Sequence, residues 1–281
     1  MRRHGLLVAP MAMAAAFTVP ASAQGHGPIY GLSTPTLGQG GWSLDIGSMA
    51  RFADGASTLM LRPMLGYGIT EDLQVFGSLP LPLARDGSVL PVRAFARMPA
   101  TRDLEIGFGW RPHRAGVGVG ARQETTVWLA LDQPLDGTRR GIQTAPGLFG
   151  SAVTGYASRT VYAWVGGAYR RHASRNGDRL GDVAMGSLVL GYRPTHFRGD
   201  YPSPDWRGFI EVVGEWLDED TLEGRPVSET GGRQLYLAVT ALGLYGSWGV
   251  AGGPAFPLYQ EMKGAGPSDL VRFAVNVTFW R

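Results

Sequence analysis

A chain of 281 residues with 26 Lys and Arg against 23 Asp and Glu carries a net charge of only +3. It shows no basic stripe with interleaved aromatics, so nucleic acid is excluded as a partner. Cysteine is absent, which removes disulfides and thiolate metal sites together. Beyond residue 23 nothing approaches the roughly 20 apolar residues of a membrane helix.

The chain opens with a basic cluster, Arg2, Arg3 and His4, followed by a mostly apolar run from Leu6 to Val19 and the small-x-small site Ala21-Ser22-Ala23. This is the layout of a secretory signal peptide, with cleavage expected after Ala23. Loss of Arg2 and Arg3 lowers the net charge from +3 to +1. Residues 24–40 then read as an N-terminal periplasmic segment, and 41–281 as one domain. An exported chain without disulfides needs a large core or a closed sheet to hold it.

From residue 42 onward the apolar period is two rather than 3.6. Strands are expected near 42–52, 58–69, 73–83, 102–112, 120–132, 147–157, 160–171, 182–193, 208–218, 233–244, 247–258 and 269–280. Most are twice the usual five or six residues of a globular strand and match the roughly nine to eleven of a tilted membrane strand. The connections alternate between short and long. Thr70-Glu71-Asp72, Ala157-Ser158-Arg159 and Tyr245-Gly246 are tight; 84–101, 133–146, 172–181, 219–232 and 259–268 are longer. Two connections break the pattern, the short Ala53 to Ala56 and the long Pro194 to Arg207. The fold class that follows is all-β: a closed antiparallel up-and-down transmembrane β-barrel of about twelve strands, in the bacterial outer membrane.

Phase assigns faces. Leu59, Leu61, Pro63, Leu65 and Tyr67 take the lipid side of the second strand and turn Arg62 inward. Leu104, Ile106, Phe108 and Trp110 do the same for Asp103 and Glu105, and Ile210, Val212 and Trp216 for Glu211 and Glu215. Asp45 and Arg272 also face in. These seven charges line the lumen, either selecting what passes or pairing across it to fill it. Trp42, Trp110, Trp206, Tyr245 and Trp280 sit near strand ends, where an interfacial belt is expected. The last strand places Phe273, Val275, Val277 and Phe279 on one stripe and ends in Trp280-Arg281, which resembles the C-terminal signal read by the barrel-insertion machinery.

No chemistry of a catalytic kind emerges. His26, His113, His172 and His196 are scattered, so no metal site and no cofactor are expected. Gly116-Val117-Gly118-Val119-Gly120 lacks the Lys-Ser/Thr of a phosphate loop. Arg170, Arg171, Arg175 and Arg179 fall in or beside an outer loop, available to lipopolysaccharide or an anionic solute or simply solvated. Outer-membrane lipid is the remaining partner.

Three segments, Pro35-Thr36-Leu37-Gly38-Gln39-Gly40-Gly41-Trp42-Ser43-Leu44, the Tyr67–Leu73 turn leading to Leu79-Pro80, and Gly253–Gln260 with Gly264 and the terminal strand, together resemble the transporter-like outer-membrane barrels labelled for the MetA pathway of phenol degradation. The resemblance implies a barrel with a solute-transport role and brings no catalytic residue. Passive or facilitated passage of a small solute is therefore the leading reading. A structural or adhesive barrel with a plugged lumen, and a membrane-embedded lipid-modifying enzyme, stand as alternatives.

Overall fold

The computed structural model describes residues 27–86, 102–139, 141–199, 203–264 and 268–281. The expected leader, His26 and most of the 84–101 connection lie outside that set. Twelve staves close into one antiparallel barrel. They are β1 (Trp42–Ala53), β2 (Ala56–Gly68), β3 in two segments (Leu73–Ser78 and Leu81–Asp86), β4 (Asp103–Gly118), β5 (Ala121–Pro134) and β6 (Gly147–Ala157). The second half comprises β7 (Val161–His172), β8 (Val183–Tyr192), β9 (Asp205–Leu217), β10 (Gly232–Tyr245), β11 (Trp248–Met262) and β12 (Asp269–Trp280).

Both segments of β3 pair with β2, one against Met64–Gly68 and the other against Ser57–Leu61. The break falls at Leu79-Pro80, where proline has no N–H to give the ladder and restricts the residue before it. Closure is made by β1, which pairs with β2 from Trp42↔Tyr67 to Ala53↔Ala56 and with β12 from Ser43↔Trp280 to Ala53↔Asp269. No edge remains at that seam to template aggregation.

One end of the barrel carries tight turns and the other carries loops, with the two exceptions expected from sequence. Among the described residues the loop end holds the short hairpins Thr138–Arg139 with Ile142–Gln143 and Thr221–Leu222 with Arg225–Pro226. At the turn end the described part of the connection between β8 and β9 contains a 3-10 turn, Thr195–Phe197. β4 runs six residues past its expected end because the glycine-rich 116–120 stretch is a strand end and turn, closed by Gly120 at φ +69°.

Alternation sorts the side chains. Leu65, Ile106, Trp110, Val165, Leu190, Ile210, Trp216 and Val239 stand on the outer wall, while the inside holds charged and hydroxyl groups together with an apolar cluster that includes Met60, Trp164, Val189 and Tyr236. A twelve-stranded barrel is wider than the eight-stranded kind that side chains alone fill. Here the segment expected as a periplasmic lead-in enters the lumen over its described part, 27–40.

Candidate functional site: a charged and plugged lumen

The seven charges assigned to the lumen from sequence all point inward, but they form separate groups. Asp45 accepts hydrogen bonds from Ser43 at 3.2 Å, Thr278 at 2.6 Å and Asn276 at 3.2 Å. Arg62 donates to Glu105 at 2.6 Å and to Ser78 at 3.2 Å. Asp103 pairs with Arg139 of the loop-end hairpin. Arg272, fully buried, donates to Asp269 at 2.6 Å and to Gln234 at 3.3 Å, and Gln234 donates in turn to Glu215 at 2.7 Å. Glu211 belongs to none of these groups.

Residues outside those seven complete the network. Arg170 bridges Glu105, at 3.0 Å, and Asp132. It was expected in or beside an outer loop. It lies on β7 and is buried, because the phase that sends Val165, Tyr169 and Arg171 outward carries through to residues 170 and 172. His172 is likewise buried, its ring nitrogen against the Gly181 carbonyl at 3.1 Å. Arg51 pairs with Asp269, and Arg111 joins Glu124 at 3.1 Å and Asp72 at 2.8 Å. Inward phase was the available signal for Arg51, two residues per step from Asp45, and for Arg111, next to outward Trp110. Trp280 is a correction of another kind. It is buried inside the barrel rather than at an interfacial belt, and a Cβ on Gly249 would meet its ring at 2.9 Å. The outward stripe of β12 consists of Phe273, Val275, Val277 and Phe279, with the Phe279 ring between Trp42 at 5.3 Å and Trp248 at 4.9 Å.

Such pairing is costly to break and only weakly stabilising to make, since each ion loses its water on burial. Within this ring-like wall the network fixes side chains across neighbouring staves and consumes most of the lumen's charge.

The chain itself enters the space inside this wall. At the turn end, Gly40 at φ +75° redirects the backbone, with Gly40 N–H donating to the Gly68 carbonyl and Gly68 N–H to the Gly41 carbonyl, both at 2.8 Å. From there the segment runs into the lumen. Leu37 N–H donates to Gln74 at 2.6 Å, and Thr126 donates to the Thr34 carbonyl at 2.6 Å. Thr34 receives the Trp164 indole N–H at 3.0 Å and donates to Glu124 at 3.2 Å. The innermost part converges on one carboxylate, with Leu32 N–H donating to Ser187 beside it at 3.0 Å. Glu211 accepts the backbone N–H groups of Ile29 at 3.1 Å, Tyr30 at 2.8 Å and Gly31 at 2.6 Å, together with the Thr240 hydroxyl at 2.5 Å. Tyr30 then reaches across to donate its hydroxyl to the Gly253 carbonyl at 2.8 Å. Proline, glycine and threonine leave this segment without a period that sequence could show, so its path was illegible; the convergence of three amides on Glu211 is the finding that replaces it.

At the loop end Asp178 ties three loops. Its carboxylate accepts the N–H of Gln143 at 2.9 Å and of Glu223 at 2.8 Å. These two donors, Glu223 first, hold its pKa below the ordinary aspartate value.

No protein-family model matches the sequence, and no curated protein does. Solved structures match in fold. An outer membrane channel from Pseudomonas putida F1 is 14% identical, with a TM-score of 0.63, over 88% of this chain and 97% of that one. The NanC porin is 9% identical, with a TM-score of 0.53, over 84% of this chain and 98% of the other. The protein therefore has the fold of an outer-membrane channel barrel. These likenesses bear on the barrel and not on a phenol pathway.

Proposed function

We propose that the chain is an outer-membrane channel of Gram-negative bacteria for a small solute, and that residues 27–40 are its removable plug. The observation that carries this reading is the Glu211 clamp. Three consecutive amides of the innermost plug converge on a single barrel side chain, so loosening that carboxylate removes its densest group of contacts without dismantling the wall and leaves Leu32 on Ser187 and Thr34 on Glu124 as the weaker remaining holds. In this reading the turn end is periplasmic, residues 1–23 are the cleaved leader, and lipopolysaccharide surrounds the loop end. Phe273, Val275, Val277 and Phe279 then serve the insertion machinery, with Trp280 anchoring the strand from inside.

The extensive ion pairing favours a second reading, a barrel that is permanently closed and structural. Liposome uptake separates the two. The mature chain and a variant lacking residues 27–36 are reconstituted, and influx of a small neutral sugar is followed. Channel function predicts slow or gated influx for the full chain and at least tenfold faster influx without the segment. Silence in both supports the closed structural barrel.

A further inference from the structure

Beside the plug the lumen keeps a cavity of about 130 Å³. Its walls come from two sources. Leu32, Pro35, Thr36 and Leu37 belong to the plug; Phe76, Trp128, Phe149 and Ser151 belong to the barrel. The Phe76 and Trp128 rings meet edge to face at 5.8 Å, and the Arg170 guanidinium covers one face of Phe149 at 4.9 Å. Much of the surface offered to an occupant is thus apolar and shaped by flat rings.

The polar part of the wall carries unmet hydrogen bonds. Thr36 Oγ1 and Ser151 Oγ are buried and have no hydrogen-bond partner in the protein. Buried hydroxyls are nearly always satisfied, and leaving one unsatisfied costs about 1–3 kcal/mol. Two such groups on one cavity point to a guest that bonds to them. Charge restricts the guest further. Arg62 and Arg170 are matched by Glu105 and Asp132, so the group around the cavity has no net charge to attract a free ion. Size does the rest: an apolar cavity of about 150 Å³ is known to take one benzene.

We propose that this cavity binds a compact, uncharged amphiphile with a body of about one ring and one hydroxyl or amide head, and that only the seated plug completes it. Because the plug supplies one side of the wall, the occupant stabilises the plugged state by the ordinary linkage of ligand to conformation. The linkage rests on the plug reading above; the binding site does not need the plug to move.

Benzamide is the test probe, titrated by calorimetry into the detergent-purified full chain, with benzoate and benzylamine as charged comparators. Saturable one-site binding is expected, at least tenfold tighter than either comparator. Thr36→Val, which keeps shape and removes the hydroxyl, should weaken it at least fivefold, and Ser151→Leu, which fills the cavity, should abolish it. If Ser151→Leu does not fold, Thr36→Val on the plug decides alone. For the linkage, Ile29→Cys places a single thiol in a chain without cysteine, outside the cavity wall. Its maleimide labelling should slow about elevenfold at benzamide ten times its Kd. Absence of saturable binding, or binding untouched by both cavity variants, would overturn the site and leave a merely hydrated void. Unchanged labelling with benzamide bound would overturn the linkage. Benzamide binding with no uptake by the shortened chain would sink the channel reading and leave the site standing; uptake without binding would do the reverse.

Discussion

Gly31 lies where the plug runs tight against the barrel wall. A Cβ there would stand 2.4 Å from Val189 Cγ2, and Val189 is fully buried on β8, with little room to retreat. Gly31→Val therefore has no place for its methyls while Glu211 holds the neighbouring amides. The variant should still fold into a barrel but seat its plug poorly, and liposome influx should rise several-fold; influx equal to the parent would mean the segment repacks without leaving. Arg272 has the opposite role, in the wall. It stacks on Tyr236 at 4.4 Å and pairs with Asp269, itself bonded to Arg51 and Tyr236. Arg272→Met leaves buried acids short of a partner, and breaking a buried pair typically costs about 3–5 kcal/mol. Urea unfolding in detergent should show a loss of that order, with part of it recovered when Asp269→Asn is added. At this scale the sequence was readable where phase ran on from a clear outward stripe, as it did for Glu211, Glu215 and Arg272. It failed for Arg170, because three further arginines nearby made a loop-like run that masked the alternation.

Elements follow the period of two. Strands β6 and β12 have the limits expected from sequence, and most others differ by one to three residues. β4 differs more, and the cause is physical: Gly116, Gly118 and Gly120 have no side chains with which to display a face. Loops are harder still. Nothing in their composition announces that Asp178 gathers the 135–146, 173–182 and 218–231 connections by accepting two backbone N–H groups. Those donors favour the ionised carboxylate, so the folded pKa lies below the unfolded one of about 3.9. The contribution to loop order is then present above the unfolded value and is lost as pH falls through the lower folded value. NMR titration should show the Gln143 and Glu223 amide signals moving together with a midpoint below about 3.9; separate midpoints, or a shared one near 5, would contradict the clamp.

For the molecule as a whole, closure answers one problem and creates another. Pairing β1 with β12 removes the sheet edge that hydrocarbon does not tolerate, and alternation then places lipid-facing and lumen-facing residues on every stave. Twelve staves enclose more space than an eight-stranded wall does, and the segment before β1 lies within it. That the barrel exists was legible in strand length, alternation and loop asymmetry. That it is plugged was not, because many of the contacts holding the plug are backbone amides, which carry no sequence signature, three of them meeting a glutamate whose inward phase could be read but whose partner could not.

The central claim is that Glu211 holds a removable plug in a channel. Hydrogen bonds to an ionised group contribute about 1.5–3 kcal/mol each, and Glu211→Gln retains only one oxygen for three amides and the Thr240 hydroxyl. Single-channel recordings in planar bilayers, comparing the parent with Glu211→Gln at the same protein concentration and salt, test this most directly. The account predicts rare, brief openings for the parent and an open fraction raised at least tenfold in the variant, at one common unit conductance. Equal open fractions, or no current from either protein, would contradict it.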